Sequence, residues 1–387
     1  MYFKNIQLHA YRNYSSMKLN LHPKVNIFLG KNGQGKTNLL EAIYFCTKGQ
    51  SFRPGHGLTY IQKNDLLVKP TSVIHSQIFA HKLEFDVKVM IEEHKKQYYV
   101  NQRKENSTFL ARKFPSVLFS PESLAVIKEG PEARRHLIDE FLMGISENTA
   151  RALRDYKRCL KTRNKVLRDY KHELKTLVET ERLLESLDQL FLPLSASVSF
   201  ARINALRSLL PGLKSSMSYI SCRENVDISV DYVISSLSSL HLEYDQILQI
   251  LTRRRDELRS AELSSGTTLV GPHKHDIHFL FEGEDSRFYC SQGQQRAIIL
   301  SFKMAQIMYH REVLEDEPVL LLDDVLSELD GEKRASLVKF LKEIPSQIIV
   351  TTTDLSFPND FDRAMSVFDI RNGTAIERIT GNEVCFV

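Results

Sequence analysis

The order of apolar and polar positions predicts strands first and a helix after them. Apolar residues alternate with polar ones near residues 6–8 and again over residues 72–100, which is the period of half-buried β-strands. A short apolar run over residues 25–29 predicts a buried strand, and helical spacing over residues 38–45 predicts a helix soon after it. Residues 1–124 are therefore predicted to form the first part of an α/β lobe.

The pattern becomes mainly helical in the middle of the chain, where glycine is rare. Residues 125–265 are accordingly predicted to form an inserted, mostly helical lobe. Strand-like patterns return later in four short stretches: residues 267–270, 276–281, 319–322 and 347–351. Residues 266–387 are predicted to complete the α/β lobe, so the expected fold is an ABC-type P-loop ATPase lobe that a helical lobe interrupts.

Composition narrows the class of protein only a little. The 387 residues are 42% apolar and 26% charged, with a net charge of +4, as in an ordinary soluble domain. No apolar run reaches membrane-spanning length, and the N-terminus has no signal-peptide layout, so a cytoplasmic protein without a membrane segment is expected. The cysteines lie far apart and predict reduced thiols, not a metal site: Cys46, Cys159, Cys222, Cys290 and Cys385.

Residues 30–37 fit the nucleotide-binding pattern G-x-x-x-x-G-K-[ST]. Because glycine has no Cβ, the backbone N–H groups of such a loop can converge on phosphate oxygens, and the next helix directs its dipole at them. Lys36 is expected to reach the β- and γ-phosphates, and Thr37 to give a hydroxyl to Mg²⁺. The predicted ATP-binding residues are consecutive: Gly30, Lys31, Asn32, Gly33, Gln34, Gly35, Lys36, Thr37 and Asn38.

Two carboxylates end the apolar run of residues 319–322. Asp323 is predicted to hold Mg²⁺, directly or through water, with Thr37 as the second protein ligand. Asp324 is predicted to orient or deprotonate the attacking water, which makes Asp324 and Lys36 the candidate catalytic residues. Phosphoryl transfer needs mainly positioning and charge neutralisation, so these few groups suffice. Taken alone, the run also fits a strand that ends in solvated carboxylates.

A third segment, residues 291–296, precedes the acidic run and begins a predicted helix. Ser291 is a typical N-cap, and Gly293 gives close access to the backbone. Free N–H groups at a helix start bind anions, although the same pattern also fits plain helix capping. A P-loop enzyme that works alone has no use for this segment. It indicates that two copies of the chain hold ATP between them.

The order of these segments resembles the ABC-type ATPases of the SMC class. In that class a Ser-x-Gly-Gln signature from one subunit completes the ATP site of the other, which implies a trans role for Ser291, Gly293 and Gln294. The resemblance also implies that Asp330 lies in a loop along the dimer interface. The switch residue would fall within residues 351–354, where a threonine or an aspartate stands in place of the usual histidine.

Over essentially its full length the chain resembles the RecF family of bacterial recombination mediators. The similar segments are residues 51–53, 118–122, 130–135, 160–164, 271–273, 291–296 and 321–330. The family usually has an arginine and an acidic pair after residues 271–273, whereas Lys274, His275 and Asp276 stand here. The resemblance implies ATP and Mg²⁺ as cofactors, an ATP-driven homodimer, duplex DNA near gaps or junctions as a partner, and RecR and RecO as further partners that help to load RecA.

The inserted lobe carries a basic stripe. Basic residues recur at steps of three and four from residue 151 to residue 175, and an apolar set that runs to Leu174 and Leu177 is offset from them by two positions, about 200° on a helix. The basic face would be roughly 36 Å long and could meet several phosphates. A merely solvated face is the plain alternative. The candidate DNA-binding residues are Arg151, Arg154, Arg158, Lys161, Lys165 and Arg168.

Together these patterns predict an ATP-gated DNA-binding protein of recombinational repair and replication. Asp324 is one methylene shorter than the glutamate common in ABC ATPases, so slow hydrolysis is expected. The predicted activity is that of a weak ATPase that DNA stimulates. Two alternatives stay open: a structural SMC-like ATPase, which would need a long coiled coil, and the ATPase subunit of an ABC transporter, which would need a surface for membrane helices. For the glutamine that senses the γ-phosphate in this class, Gln77 is the candidate.

Overall fold

The computed structural model describes residues 1–62, 70–361 and 364–378; Cys385 lies outside them. The strands are β1 (Tyr2–Tyr11), β2 (Tyr14–Asn20), β3 (Val25–Leu29), β4 (Ser72–Ala80), β5 (Leu83–Ile91), β6 (Lys96–Val100), β7 (Arg103–Glu105), β8 (Ser116–Phe119), β9 (Ile228–Ile234), β10 (Leu237–Ser238), β11 (Asp276–Phe281), β12 (Glu284–Asp285), β13 (Val319–Asp323), β14 (Ile348–Thr352), β15 (Met365–Arg371) and β16 (Thr374–Glu377). The helices are α1 (Lys36–Lys48), α2 (Gly57–Tyr60), α3 (Ser107–Lys113), α4 (Pro121–Leu124), α5 (Pro131–Ile145), α6 (Glu147–Lys171), α7 (Leu177–Ser221), α8 (Tyr244–Ser265), α9 (Ser286–Tyr289), α10 (Gln292–Val313) and α11 (Gly331–Glu343). This mixture of sheets and helices confirms the predicted α/β class.

The chain divides into two compact units. The first consists of Met1–Leu124, Ser218–Arg223 and Ile299–Val387, and the second of Ala125–Met217 and Glu224–Ile298. We call them the ATPase unit and the inserted unit. The first division of the chain coincides with the predicted lobe boundary. Among the helices that the structure describes, none is long and apolar enough to cross a membrane.

The ATPase unit is built on a sheet of six strands in the order β16-β15-β3-β14-β13-β8. The five strands from β15 to β8 run parallel to one another, and β16 pairs antiparallel with β15. Every residue of β3, β13 and β14 is buried, which is why these strands are continuous apolar runs in the sequence. The parallel arrangement brings the carboxyl ends of the strands to one edge of the sheet.

A second sheet of the ATPase unit is antiparallel, in the order β2-β1-β4-β5-β6-β7. Its alternating burial, as in β4, explains the period-two pattern of the sequence and confirms the half-buried strands predicted over residues 72–100. Helix α1 is buried nearly all round: residues 39–48 are all buried. Leu39, Ile43 and Phe45 belong to one core cluster with apolar side chains from both sheets, so α1 is held firmly behind the phosphate-binding loop.

The inserted unit is not purely helical, and the predicted boundary at residues 265/266 differs from the structure. Strand β11 pairs antiparallel with β9, from Asp276 opposite Val233 to Phe281 opposite Ile228. Because of this pairing, a four-stranded sheet in the order β10-β9-β11-β12 belongs to the inserted unit, which extends to Ile298. Strand partners this far apart in sequence cannot be read from the hydrophobic period alone.

The strand predicted over residues 267–270 is wrong, because side chains take up its backbone N–H groups. The N–H of Thr268 donates to Asn164 Oδ1 at 2.7 Å, and that of Leu269 donates to Glu262 Oε1 at 2.8 Å. Glu262 is itself fully buried and accepts a hydrogen bond of 2.7 Å from Arg163 Nη2. Backbone groups paired in this way have no need of a neighbouring strand.

Helix α6 ends earlier than the stripe pattern predicts. Its last residue is Lys171, and Glu173 has a positive φ of 59°, a left-handed conformation that stops an α-helix. The side chains of Leu174 and Leu177 are 73% and 44% exposed, so the predicted apolar stripe does not extend to them. No glycine or proline marks this helix end, and the sequence pattern therefore misses it.

Candidate nucleotide-binding site

The loop between β3 and α1 has the backbone form that residues 30–37 predict. Gly33 and Gly35 have φ values of 78° and 113°, in a region that side-chain-bearing residues rarely adopt. A Cβ added to Gly35 would lie 2.5 Å from Asn13 Nδ2 and 2.9 Å from the Tyr14 hydroxyl. Glycine is required there both for the turn and for the close approach of the β1–β2 hairpin.

Lys36 folds back over the loop that precedes it. Its Nζ donates hydrogen bonds of 2.7 Å to the carbonyl of Gly30 and 3.1 Å to that of Lys31. Burial lowers the pKa of Lys36, and the charges of Asp324 and Asp323 oppose that shift. The cation therefore lies inside the loop, close to two carboxylates, where a phosphate would be a better partner than carbonyl oxygens.

The rest of the loop is open to solvent or braced by side chains. Lys31, Asn32 and Gly33 are exposed. Gln34 is half-buried, and its Oε1 accepts a hydrogen bond of 2.9 Å from the N–H of Asn372. Asn38, in the first turn of α1, donates through Nδ2 to Asn13 Oδ1 at 2.7 Å. The exposed part of the loop is thus the part that a nucleotide could reach.

Asp323 lies at the carboxyl end of β13 and is shared by two threonines. Its Oδ1 accepts hydrogen bonds from Thr37 Oγ1 at 2.9 Å and from Thr351 Oγ1 at 2.8 Å. Burial raises the pKa of Asp323, while the hydrogen bonds from Thr351 and Thr37 oppose the shift. Hydroxyl and carboxylate oxygens at this separation are the ligands that Mg²⁺ prefers, so Thr37 and Asp323 fit the predicted metal role.

Asp324 is held in a strained conformation beside them. Its φ is 49°, in the left-handed region that a non-glycine residue occupies at a cost. Its N–H is fixed by the Thr351 carbonyl at 3.2 Å and the Thr351 hydroxyl at 3.0 Å. Its Oδ1 is buried and has no hydrogen-bond partner within the described part of the chain. An unused buried acceptor of this kind fits a group that orients water.

Thr351 is the site residue that the sequence analysis misses in this role. Strand β14 lies between β3 and β13, and its register places Thr351 opposite Asp323 on one side and Phe28 on the other. Thr351 was expected only as one of four possible switch residues. Another of them, Asp354, accepts a hydrogen bond of 2.8 Å from Arg334 Nη2. The signal available in the sequence is that the strand predicted after the acidic run also ends in threonine.

The signature segment begins α10 in the inserted unit. The Ser291 hydroxyl accepts a hydrogen bond of 3.2 Å from the N–H of Gln294, and Gln294 Oε1 accepts one of 2.8 Å from the N–H of Ser291. This reciprocal pair is a capping box, which fixes the helix start. Ser291 is exposed, and Gly293 and Gln294 are half-buried. The segment therefore presents polar groups at the surface.

Asp330 also caps a helix. It precedes α11, and its Oδ1 accepts a hydrogen bond of 3.0 Å from the N–H of Lys333, while its other oxygen pairs with the Lys333 ammonium. The side chain of Asp330 is 54% exposed. Its position is compatible with an interface loop, and its contacts within the chain are those of an N-cap.

The candidate DNA-binding residues lie together on α6. The apolar face of the helix is buried through Leu153, Tyr156, Val166 and Leu167. Arg154 is half-buried. The other five candidates are exposed: Arg151, Arg158, Lys161, Lys165 and Arg168. Arg151 forms an ion pair of 3.7 Å with Glu147, and Arg158 forms one of 3.7 Å with Asp155, both on the same helix. A solvent-facing basic surface is therefore present over the length of α6.

The structure also describes His275, which departs from the family pattern, and Gln77, the candidate sensor of the γ-phosphate. His275, where the family pattern has an acid, is buried in the inserted unit, 3.0 Å from the Tyr232 hydroxyl and 3.3 Å from Ser199 Oγ. Burial lowers its pKa well below the ordinary value, so it is a neutral core residue. Gln77 is exposed on β4 and accepts a hydrogen bond of 2.7 Å from Asn5 Nδ2, which gives no support to a phosphate-sensing role.

Comparison with known proteins places these features in a family. Residues 2–376 match the family model described as RecF/RecN/SMC N terminal domain. Among curated relatives, the DNA replication and repair protein RecF of Lactobacillus johnsonii is 33% identical over 92% of this chain and 93% of its own length. The protein of the same name from Symbiobacterium thermophilum is 32% identical over 97% of this chain and 98% of its own.

Solved structures agree with these sequence matches. Two structures of the recombination mediator protein RecF in the RecFOR pathway, designated RecF-ATP and RecF-ATPrS, have TM-scores of 0.85 and 0.84 to this chain at 31% identity. Each covers 97% of the chain. An SMC head bound to the C-winged helix domain of ScpA has a TM-score of 0.56 at 13% identity, which is a likeness of fold alone.

Proposed function

The chain belongs to the RecF family, and from that premise we propose that it is an ATP-gated DNA-binding protein of replication and recombinational repair. The observation that carries the proposal is the hydrogen bond of 2.9 Å between Thr37 and Asp323. It unites the phosphate-binding loop with the acidic end of β13, beside Lys36. Those groups suit ATP and Mg²⁺, which are the proposed cofactors, and the proposed site of action is the cytoplasm.

ATP is proposed to join two copies of the chain head to tail, with two ATP molecules at the interface. In this arrangement Ser291, Gly293 and Gln294 of one copy complete the site formed by the loop of the other. The exposure of Ser291 at the start of α10 supports this role, because a helix start directs N–H groups and a positive dipole end outwards. Asp330 is proposed to lie along the same interface.

Hydrolysis is proposed to be slow and to release the dimer. Asp324 orients the attacking water through the oxygen that lacks a partner, while Lys36 neutralises phosphate charge. Thr351 fixes the backbone of Asp324, and a carboxylate one methylene shorter than glutamate must reach further to the water. Thr37 and Asp323 would hold Mg²⁺, which would neutralise phosphate charge when bound.

DNA is proposed to bind the basic face of α6 in the closed dimer. Cations spaced along one helix face meet phosphates without reading bases, which fits recognition of duplex DNA near gaps or junctions by shape. The names of the structurally similar proteins mention the RecFOR pathway, and this supports RecR and RecO as partners and RecA loading as the outcome.

The rate of ATP hydrolysis with and without duplex DNA tests the proposal. We expect a gapped duplex to raise the rate several-fold over the protein alone, and Asp324→Asn to abolish the increase. If gapped, blunt and single-stranded DNA all leave the rate unchanged, the proposed coupling of DNA binding to ATP hydrolysis is wrong, and a structural SMC-like ATPase is favoured.

A further inference from the structure

A buried carboxylate lies in the second turn of α1, close behind the phosphate-binding loop. Glu41 is fully buried, and its carboxylate accepts hydrogen bonds from surrounding side chains. Arg12 makes a two-pronged contact, with Nε 2.9 Å from Oε2 and Nη2 2.8 Å from Oε1. The Tyr11 hydroxyl donates to Oε2 at 2.6 Å. The β1–β2 hairpin is thereby fastened to α1.

A second arginine holds the same carboxylate. Arg53 Nη2 lies 2.8 Å from Oε2 and its Nε 3.3 Å from Oε1, and the Ser51 hydroxyl donates to Oε1. Burial alone would raise the pKa of Glu41, but hydrogen bonds from Arg12 and Arg53 outweigh it and the pKa is lowered. Glu41 is therefore ionised, and its carboxylate pairs with the guanidinium groups of both Arg12 and Arg53.

From Arg53 a chain of hydrogen bonds leads to the loop. Arg53 Nη2 donates to Asn38 Oδ1 at 2.6 Å, and Asn38 Nδ2 donates to Asn13 Oδ1 at 2.7 Å. Asn13 Nδ2 in turn donates to the carbonyl of Gln34 at 3.1 Å. Each amide accepts through its oxygen and donates through its nitrogen, so every donor in this series of hydrogen bonds lies on the same side and the orientation of both amides is fixed.

The hairpin also touches the last glycine of the loop. The Tyr14 hydroxyl donates to the carbonyl of Gly35 at 3.0 Å. Together Asn13 and Tyr14 hold the carbonyls of two consecutive residues, Gln34 and Gly35, which immediately precede Lys36. These contacts define the orientation of the peptide groups that a phosphate would meet.

We propose that Glu41 is a positioning residue for ATP binding, which fixes the phosphate-binding loop through Arg53, Asn38 and Asn13 without touching the nucleotide. The inference rests on the ATP-binding function proposed above. A loop that is already in its binding form loses less conformational freedom when ATP binds, and the apparent affinity falls in proportion to the fraction of molecules with the loop in that form. Glutamine at position 41 cannot satisfy two guanidinium groups, so Arg53 loses its fixed place.

A purely structural role is the rival explanation, because any buried carboxylate paired with arginine supports the fold. The chain offers a matched control in Glu262 of the inserted unit. It too is fully buried, with Arg163 Nη2 at 2.7 Å and the N–H of Leu269 at 2.8 Å. Glu262→Gln removes a comparable buried charge with no hydrogen bond to the phosphate-binding loop.

The experiment is calorimetric titration of the full-length chain with Mg·ATP, well below the unfolding midpoint of each variant. We expect Glu41→Gln to weaken ATP binding at least tenfold. We expect the ATP affinity of Glu262→Gln to stay within twofold of that of the unchanged protein, even if its unfolding midpoint falls as far as that of Glu41→Gln. Hydrogen exchange without nucleotide gives a second readout: amides of residues 33–38 should exchange faster in Glu41→Gln and not in Glu262→Gln.

Asn13→Ala covers the case in which Glu41→Gln does not fold. It breaks the last link of the chain and leaves the ion cluster intact, and we expect it too to weaken ATP binding at least fivefold. Binding within twofold of the unchanged protein in Asn13→Ala, or in a folded Glu41→Gln, overturns the inference. If the unchanged protein itself fails to bind Mg·ATP, the proposed function fails instead, so the two failures are distinguishable.

Discussion

The hydroxyl of Thr37 donates a hydrogen bond of 2.9 Å to Asp323, a residue 286 positions later in the chain. The loop of Thr37 follows β3 and Asp323 ends β13, and these strands are not neighbours, because β14 lies between them. Thr351 on β14 donates to the same oxygen of Asp323 at 2.8 Å and so bridges the gap. Three strand ends therefore meet at one place, which is the proposed site for ATP and its metal ion.

Replacing Lys36 with methionine should abolish nucleotide binding and ATP-dependent dimerisation together. The two hydrogen bonds that Lys36 makes go to exposed-loop carbonyls, so the fold should persist. Losing a charged donor to phosphate costs about 1.5–3 kcal/mol or more, which is at least tenfold in affinity. Calorimetric titration and circular dichroism check the two parts. Normal dimerisation of Lys36→Met with ATP would show that the loop is not the nucleotide site.

Replacing Asp324 with asparagine should separate binding from hydrolysis. The variant keeps the size of the side chain and loses the charge that orients water, so ATP should bind and dimers should accumulate. We expect hydrolysis to fall by about 10²-fold or more, the usual contribution of such a group, and DNA to dissociate more slowly. Single-turnover hydrolysis measures this directly. An unchanged rate would exclude Asp324 as the water-positioning residue.

Replacing Thr351 with valine should weaken the site, because the Thr351 hydroxyl contacts both the Asp323 carboxylate and the Asp324 backbone. The change deletes the hydrogen bond of 2.8 Å to Asp323 and the one of 3.0 Å from the Asp324 N–H. We expect the free energy of unfolding to fall by about 1–3 kcal/mol, with hydrolysis slowed as well.

A matched control is Thr47→Val, in α1. Thr47 is also fully buried and also makes two hydrogen bonds, to the Tyr44 carbonyl at 3.0 Å and to Ser116 Oγ at 2.8 Å. Its loss should lower stability by a similar amount and leave the hydrolysis rate per folded molecule unchanged. Equal effects of the two changes on hydrolysis would contradict a specific role for Thr351.

Replacing Ser291 with arginine should leave ATP binding by the monomer nearly unchanged and prevent dimerisation and hydrolysis. Ser291 is exposed, so the larger side chain can be accommodated in the monomer and would obstruct only a partner. Titration with ATP at low protein concentration, followed by sedimentation at high concentration, separates the two effects. Loss of ATP binding in the monomer would place Ser291 in the site of its own chain.

Replacing Arg154, Lys161 and Arg168 with glutamate should weaken binding to duplex DNA of any sequence. Each phosphate contact contributes a slope of about 0.9 to the dependence of log K on log salt concentration, so three lost contacts should reduce the slope by about 2.7. Fluorescence anisotropy of a labelled duplex at several salt concentrations, with ATP present, measures affinity and slope. ATP binding and dimerisation should persist.

The control for net charge is the triple change of Lys82, Lys95 and Lys104 to glutamate in the ATPase unit. All three are exposed, and none lies on α6. The same change of charge there should leave most of the DNA affinity in place. If both triple variants behave alike, or if the α6 variant keeps its slope, the stripe is only a solvated face.

Local motifs could be recognised from the sequence, whereas contacts between distant residues could not. Lys36 and Asp323 are found because each stands in a short pattern whose chemistry is contained in neighbouring residues. Thr351 acquires its role only from the register of β14 between β3 and β13, which no local pattern reveals. The network of Glu41 is hidden for the same reason, since its partners come from a hairpin and a later segment.

Element boundaries could likewise be predicted where a local pattern marks them and not where tertiary contacts set them. The buried strands β3 and β13 were predicted nearly to the residue because apolar runs mark them. The end of α6 was missed because Glu173 adopts a left-handed conformation without a glycine or proline signal. The limit of the inserted unit was misplaced because β11 pairs with β9, a choice of partner made by tertiary structure.

Sedimentation velocity of the full chain with and without Mg·ATP tests the central claim most directly. The chain has a mass of 44.6 kDa, and we predict a monomer of that mass without nucleotide and a species of twice that mass with ATP. Duplex DNA should co-sediment with the larger species. A chain that binds ATP by titration but sediments as a monomer at saturating ATP, with and without DNA, would contradict the account.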